Sequence, residues 1–132
     1  MSDQSASTPL SPHLQIWRWT VTLFCSITHR VTGMALYAGT ILLTIWLASA
    51  ATGEAAFATV QAIYTSPFGL IVLFGYTWAL FFHLLNGIRH FVWDAGYGFS
   101  IPASRGSAWG VVGGSLALTI AVWAAVFMTG GN

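Results

Sequence analysis

Lysine is absent from this 132-residue chain, and the charged inventory is Arg18, Arg30, Arg89 and Arg105 against Asp3, Glu54 and Asp94. Four dispersed arginines form no basic patch, so the net charge of +1 gives no sign of nucleic-acid binding. Charged residues make up 5% of the sequence, where soluble domains carry about a quarter, which excludes an ordinary soluble fold. Cysteine is nearly absent too. Cys25, alone, makes neither an internal disulfide nor the four-thiolate cage of an iron-sulfur cluster, which leaves it as a small packing residue. The opening Met1 to Thr8 is polar, holds Asp3 and has no arginine, unlike a basic signal-peptide start or an Arg-rich transit peptide. The expectation is an unprocessed bacterial chain inserted by its own first helix.

What remains is apolar: 56% of residues, with a mean hydropathy of +0.74. Three runs, about Val31 to Ala51, Phe68 to Val92 and Trp109 to Met128, can each cover a hydrocarbon core of about 30 Å, or roughly 20 helical residues. The chain therefore reads as an all-α membrane protein with three transmembrane helices over about 21–51, 67–93 and 108–128. A short cytoplasmic N-terminal segment, 1–20, precedes an anchor domain, 21–132. The first helix is extended back to Val21 because Val21, Leu23, Phe24 and Ile27 are apolar, although Arg30 belongs at an interface. From Val21 to Ala51 it would run about 46 Å, so its first turns project or tilt. Thr52 to Pro67, with Gly53 and Ser66-Pro67, reads as one connection; Asp94 to Ser107, with Gly96, Gly98, Pro102 and Gly106, reads as the other.

Arg18 and Arg30 precede the first span and Arg89 and Arg105 flank the second connection, whereas the first connection carries only Glu54. The positive-inside rule then puts the N-terminus and second connection in the cytoplasm, in a multi-pass protein of the bacterial inner membrane. Trp17, Trp19, Trp93 and Trp109 fall near the inner interface, and Trp46 and Trp123 near the outer one. Gly33, Gly39, Gly69, Gly87, Gly110, Gly113 and Gly114 offer flat surfaces for partner helices.

Two polar stripes interrupt the apolar helices. On the first, at about 100° per residue, Ser26, His29, Arg30 and Gly33 share one face. They supply a hydroxyl, an imidazole and a five-donor guanidinium beside a glycine that leaves room for something flat. Arg30 suits a carboxylate or a ligand carbonyl turning negative on reduction, although an arginine at a helix end also serves as a plain topology anchor. On the second, His83, Gly87, His90 and Asp94 share a face. His83 lies about 16 Å along the axis from Asp94, which puts it near mid-membrane, and Asp94 can accept the ring proton of His90.

An ionisable side chain at the depth of His83 points to a functional site. Axial ligation of a haem iron, bonding to a neighbouring helix and proton relay are all open to it. His83 and His90 are about 10 Å apart, too far to share one iron, so a haem on His83 would take its second ligand from a partner chain.

Ser26-Ile27-Thr28-His29-Arg30-Val31-Thr32-Gly33 and His83-Leu84-Leu85-Asn86-Gly87-Ile88-Arg89-His90, the latter followed by Trp93-Asp94, closely resemble motifs of a known family. With the lead-in Pro9-Leu10-Ser11-Pro12-His13-Leu14 they resemble the cytochrome b membrane-anchor subunit, the C chain, of succinate dehydrogenase (respiratory complex II). That resemblance implies half of a heterodimeric helix bundle, completed by a second small anchor subunit and topped by an iron-sulfur subunit and a flavoprotein. FAD and the iron-sulfur clusters reside in those partners, and ubiquinone is the electron acceptor. It also implies His83 as the axial ligand of haem b, with the other ligand from the smaller anchor chain. Ser26, Arg30 and Ile27 would form the quinone site, and His29, Arg30 and His90 the haem propionate region. Two other readings stand beside it: an intramembrane proton or small-solute transport subunit using His83, His90 and Asp94, and a haem-free structural anchor.

Overall fold

Thr20, with extended backbone, caps the first helix: its hydroxyl accepts the N–H of Leu23 at 3.2 Å, and α1 runs Val21–Thr52. The computed structural model describes residues 18–130; the Met1 to Thr8 opening, the Pro9 to Leu14 lead-in and Trp17 lie outside it. The 32 residues of α1 span about 48 Å, well beyond the hydrocarbon of a bilayer. The first helix does begin at Val21, as expected.

Gly53 ends α1 with φ 136°, a conformation that side-chain-bearing residues rarely adopt. A second helix, α2 (Glu54–Tyr64), then forms where the sequence reading had only a connection. Its cause is local. Glu54 in the first turn complements the helix dipole, and Ala55, Ala56, Ala58 and Ala62 are strong helix formers. Contacts with α1 hold it: Trp46 Nε1 donates to Gln61 Oε1 at 3.1 Å, Tyr64 donates its hydroxyl proton to the Leu42 carbonyl at 2.7 Å, and Phe57 packs edge-on to Trp46. Eleven residues are too short to stand out as a span in a hydropathy pattern.

Ser66 caps α3 (Pro67–Asp94), its side chain accepting the Gly69 N–H at 3.1 Å with Pro67 pre-set in the first turn. Gly96 and Gly98, with φ 88° and 80°, turn the chain into α4 (Ile101–Gly130). That helix begins at Ile101 rather than 108. Pro102 falls in its first turn, where a missing N–H costs nothing, and so starts the helix instead of breaking it.

No strand occurs among the described residues. α3 lies between α1 and α4, which also touch each other, while α2 leans on α1 and α3. Cys25, Phe82, Ala108 and Val111 form the buried core, with Val21, Trp78, Leu85 and Val112 around it. Cys25 is fully buried against α4, its thiol facing the Ala108 carbonyl at 3.6 Å, and is a packing residue as expected. Arg89, grouped by sequence with the interface arginines, is instead 94% buried between α3 and α4. Elsewhere the surface is apolar: Tyr37, Phe68 and Met128 are exposed, and α1, α3 and α4 are each long and apolar enough to cross a bilayer.

Because Tyr64 fastens the end of α2 to α1, Tyr64→Phe should cost about 1 kcal/mol locally. Amide exchange over 54–64 should quicken about fivefold while that of α3 and α4 stays put; unchanged exchange in α2 would contradict this role.

Candidate functional site

His83 leaves α3 toward α1, and its Nδ1 lies 3.2 Å from the backbone carbonyl oxygen of His29. A carbonyl only accepts, so Nδ1 carries the proton and Nε2 is left with its lone pair. The hydroxyl of Thr32 donates to the carbonyl of Thr28 at 2.8 Å and lies 3.4 Å from the same Nδ1. Nε2 makes no hydrogen bond among the described residues. The imidazole is thus anchored at one nitrogen and open at the other, the arrangement in which ligating histidines are usually held.

Gly33 makes this approach possible. A Cβ built there would stand 3.1 Å from His83 Cε1, closer than ordinary van der Waals contact. One turn earlier, the His29 ring stacks on that of His83, with centroids 4.0 Å apart and planes 12° from parallel. His29 also approaches His90, at 5.4 Å between centroids, so three imidazoles stand in a row that crosses from α3 to α1 and back. His29 Nδ1 is buried and has no hydrogen-bond partner. Such an orphaned polar atom is costly unless something outside this chain satisfies it.

The expected polar face of α1 is therefore divided. His29 and Gly33 turn onto His83, whereas Ser26, Ile27 and Arg30 sit on the exposed flank. Ser26 and Arg30 form no hydrogen bond or ion pair among the described residues, which leaves their polar groups available to a bound molecule. His83 is half-buried and level with the turn of α1 that carries His29 and Arg30. The pairing expected of His90 with Asp94 does not form. The ring of His90 turns instead to His29 and to the edge of Trp93, 5.2 Å away, and Asp94 is the exposed last residue of α3.

Thr32 and the His29 carbonyl were not singled out by sequence. The signal for Thr32 was present: at 100° per residue it falls on the side of α1 that holds Cys25 and Gly39, a polar group on the buried side. Among the described residues no three His, Cys, Asp or Glu side chains gather to hold a metal ion.

Comparison with known proteins follows the same lines. Residues 4–122 match the family described as succinate dehydrogenase/fumarate reductase transmembrane subunit. The chain is similar to the succinate dehydrogenase cytochrome b556 subunit of Paracoccus denitrificans, 45% identical over 112 residues that cover 85% of this chain and 86% of the relative. It is 40% identical to the subunit of the same name from Rickettsia felis, over 87% of this chain and 90% of the relative. With the mitochondrial succinate dehydrogenase cytochrome b560 subunit of Sus scrofa it shares 39% identity over 71% of this chain and 57% of the relative.

Gly33 is the position on which the imidazole geometry turns. Gly33→Val should push the His83 ring off the His29 carbonyl and remove the signature of a hydrogen-bonded Nδ1–H from the histidine 15N NMR spectrum. An unaltered His83 resonance in that variant would show that the close approach is not needed.

Proposed function

This chain belongs to the succinate dehydrogenase/fumarate reductase transmembrane subunit family, and from that premise we propose that it is the haem b-binding membrane anchor of a succinate:quinone oxidoreductase. The observation that carries the reading is the His83 Nδ1 to His29 carbonyl hydrogen bond, which leaves Nε2 free. The residues fit an iron porphyrin: an oriented nitrogen donor, a glycine beneath it and an unsatisfied buried nitrogen on the neighbouring His29. His83 would hold the haem iron through Nε2, with a second ligand supplied by a second small anchor subunit, and His29, Arg30 and His90 would meet the propionates. When bound, the haem supplies one-electron transfer.

Ser26, Ile27 and Arg30 bind ubiquinone on the exposed flank of α1. Reducing a quinone to its quinol takes two electrons, from the iron-sulfur subunit, and two protons. The Ser26 hydroxyl donates a hydrogen bond to one carbonyl oxygen, and the Arg30 guanidinium stabilises the negative charge that grows on it. Ile27 packs against the ring. In the inner membrane the arginine end faces the cytoplasm, where the flavoprotein with its FAD and the iron-sulfur subunit dock and water delivers protons. With Cys25 as its one cysteine the chain cannot build a four-thiolate cluster, and it serves the enzyme as a subunit beside the flavoprotein and iron-sulfur chains. A relay through His83, His90 and Asp94 is the weaker reading, because Asp94 stands apart from the imidazole row.

In the purified complex His83→Ala should abolish the haem b absorption bands; intact bands would remove His83 from the ligand role. Arg30→Ala and Ser26→Ala should each lower quinone reduction by at least about tenfold while succinate oxidation by an artificial dye continues. Arg30→Lys should also be poor, since an ammonium lacks the planar fork. Quinone turnover at the wild-type rate in both alanine variants would refute the quinone assignment.

A further inference from the structure

On the side of α3 away from His83, Arg89 reaches α4 and spends its donors on neutral groups. Nε donates to Ser107 Oγ at 2.9 Å, Nη2 to the Ser104 carbonyl at 3.0 Å and Ser104 Oγ at 3.1 Å, and Nη1 to Asn86 Oδ1 at 3.4 Å. The Trp93 ring lies 3.9 Å from Cζ. No carboxylate pairs with it among the described residues. Four good acceptors hold the guanidinium in place but leave its charge uncompensated, and a buried ion without a counter-ion is an expensive arrangement.

The guanidinium is not sealed in. It lines a cleft of about 400 Å3 between α3 and α4, a volume in the range of small-molecule sites. From Arg89, Trp93 and Ser107 the cleft continues as an apolar slot along Leu85, Ile88 and Val111. It opens sideways past Gly110, where an added Cβ meets nothing within 4 Å. A fixed, largely buried positive charge lining one part of the cleft and apolar residues lining the rest together suit a ligand with an anionic head and a hydrocarbon tail.

We propose that this cleft binds an anionic diacyl phospholipid, its phosphate against Arg89 and one acyl chain between α3 and α4. Basic pockets between transmembrane helices are suited to such headgroups, and Trp93 stands where tryptophan favours the headgroup layer. The phospholipid completes the electrostatics that Ser104, Ser107 and Asn86 leave unfinished, and it clamps the short turn between α3 and α4. The site is separate from the His83 assignment, since His83 turns to α1 and Arg89 to α4, about 120° apart around α3.

The test uses the intact complex, stripped of lipid in detergent and titrated with dioleoyl phosphatidylglycerol, dioleoyl phosphatidylcholine or sodium phosphate, with bound lipid counted by native mass spectrometry and Tm recorded. Phosphatidylglycerol should bind about fivefold more tightly than phosphatidylcholine and raise the Tm, and free phosphate should do neither. Arg89→Gln should remove the preference for phosphatidylglycerol. Gly110→Leu fills the slot while leaving the Arg89 hydrogen bonds intact, and should weaken phosphatidylglycerol about tenfold. Equal binding of the two lipids, stabilisation by phosphate alone, or wild-type lipid affinity in Gly110→Leu would each overturn the proposal. Loss of another subunit from Arg89→Gln with no change in lipid binding would assign the guanidinium to a protein carboxylate instead.

Discussion

One hydrogen bond, from His83 Nδ1 to the backbone carbonyl of His29, sets the chemistry of this helix bundle. In hydrocarbon no water can satisfy an imidazole, so its two nitrogens must be provided for by protein or ligand. Tying Nδ1 to a main-chain oxygen fixes the tautomer, the ring plane and the direction of the remaining lone pair together. The low polarity around it makes the bond stronger than it would be in water. Gly33 permits the approach, Thr32 crowds the same nitrogen and the stacked His29 ring prevents the imidazole from swinging aside.

The two sides of α3 divide the work. The side facing α1 carries His83, whose Nε2 has no hydrogen-bond partner among the described residues. The side facing α4 carries Asn86, which accepts from Arg89, and Arg89 itself, whose hydrogen bonds to Ser104 and Ser107 fasten the first turns of α4. Around both, large apolar residues remain exposed along α1 and α4, and His29 Nδ1 and Asn86 Nδ2 are buried without partners. A three-helix anchor with this much uncovered surface is built to be completed by other helices and by lipid.

The three long helices were legible in hydropathy, and two of their starts were legible in side-chain chemistry: Val21 after the polar Thr20, and Pro67 after Ser66. The start of α4 was misread because proline and glycine were taken as breakers, whereas Pro102 occupies the one turn that welcomes it. α2 was missed because its stability comes from Trp46, Leu42 and Gly53 on the preceding helix and turn, contacts that a local window does not contain. At the site, the period of 100° put Ser26, His29, Arg30 and Gly33 on one arc of α1. It did not say which edge of that arc turns inward, because this depends on where the α3 backbone passes. The burial of Arg89 was hidden for a similar reason: in sequence an arginine near a span's end looks the same whether it snorkels to water or folds back onto the next helix.

The central claim is that His83 presents Nε2, and not Nδ1, to an iron shared with a neighbouring subunit. A high-resolution electron cryo-microscopy map of the intact complex tests it directly. The account predicts iron density at His83 Nε2, with Nδ1 still within hydrogen-bond distance of the His29 carbonyl and an opposing ligand from another chain. Iron on His29 or His90, or a His83 Nε2 capped by a protein atom with no porphyrin beside it, would contradict it.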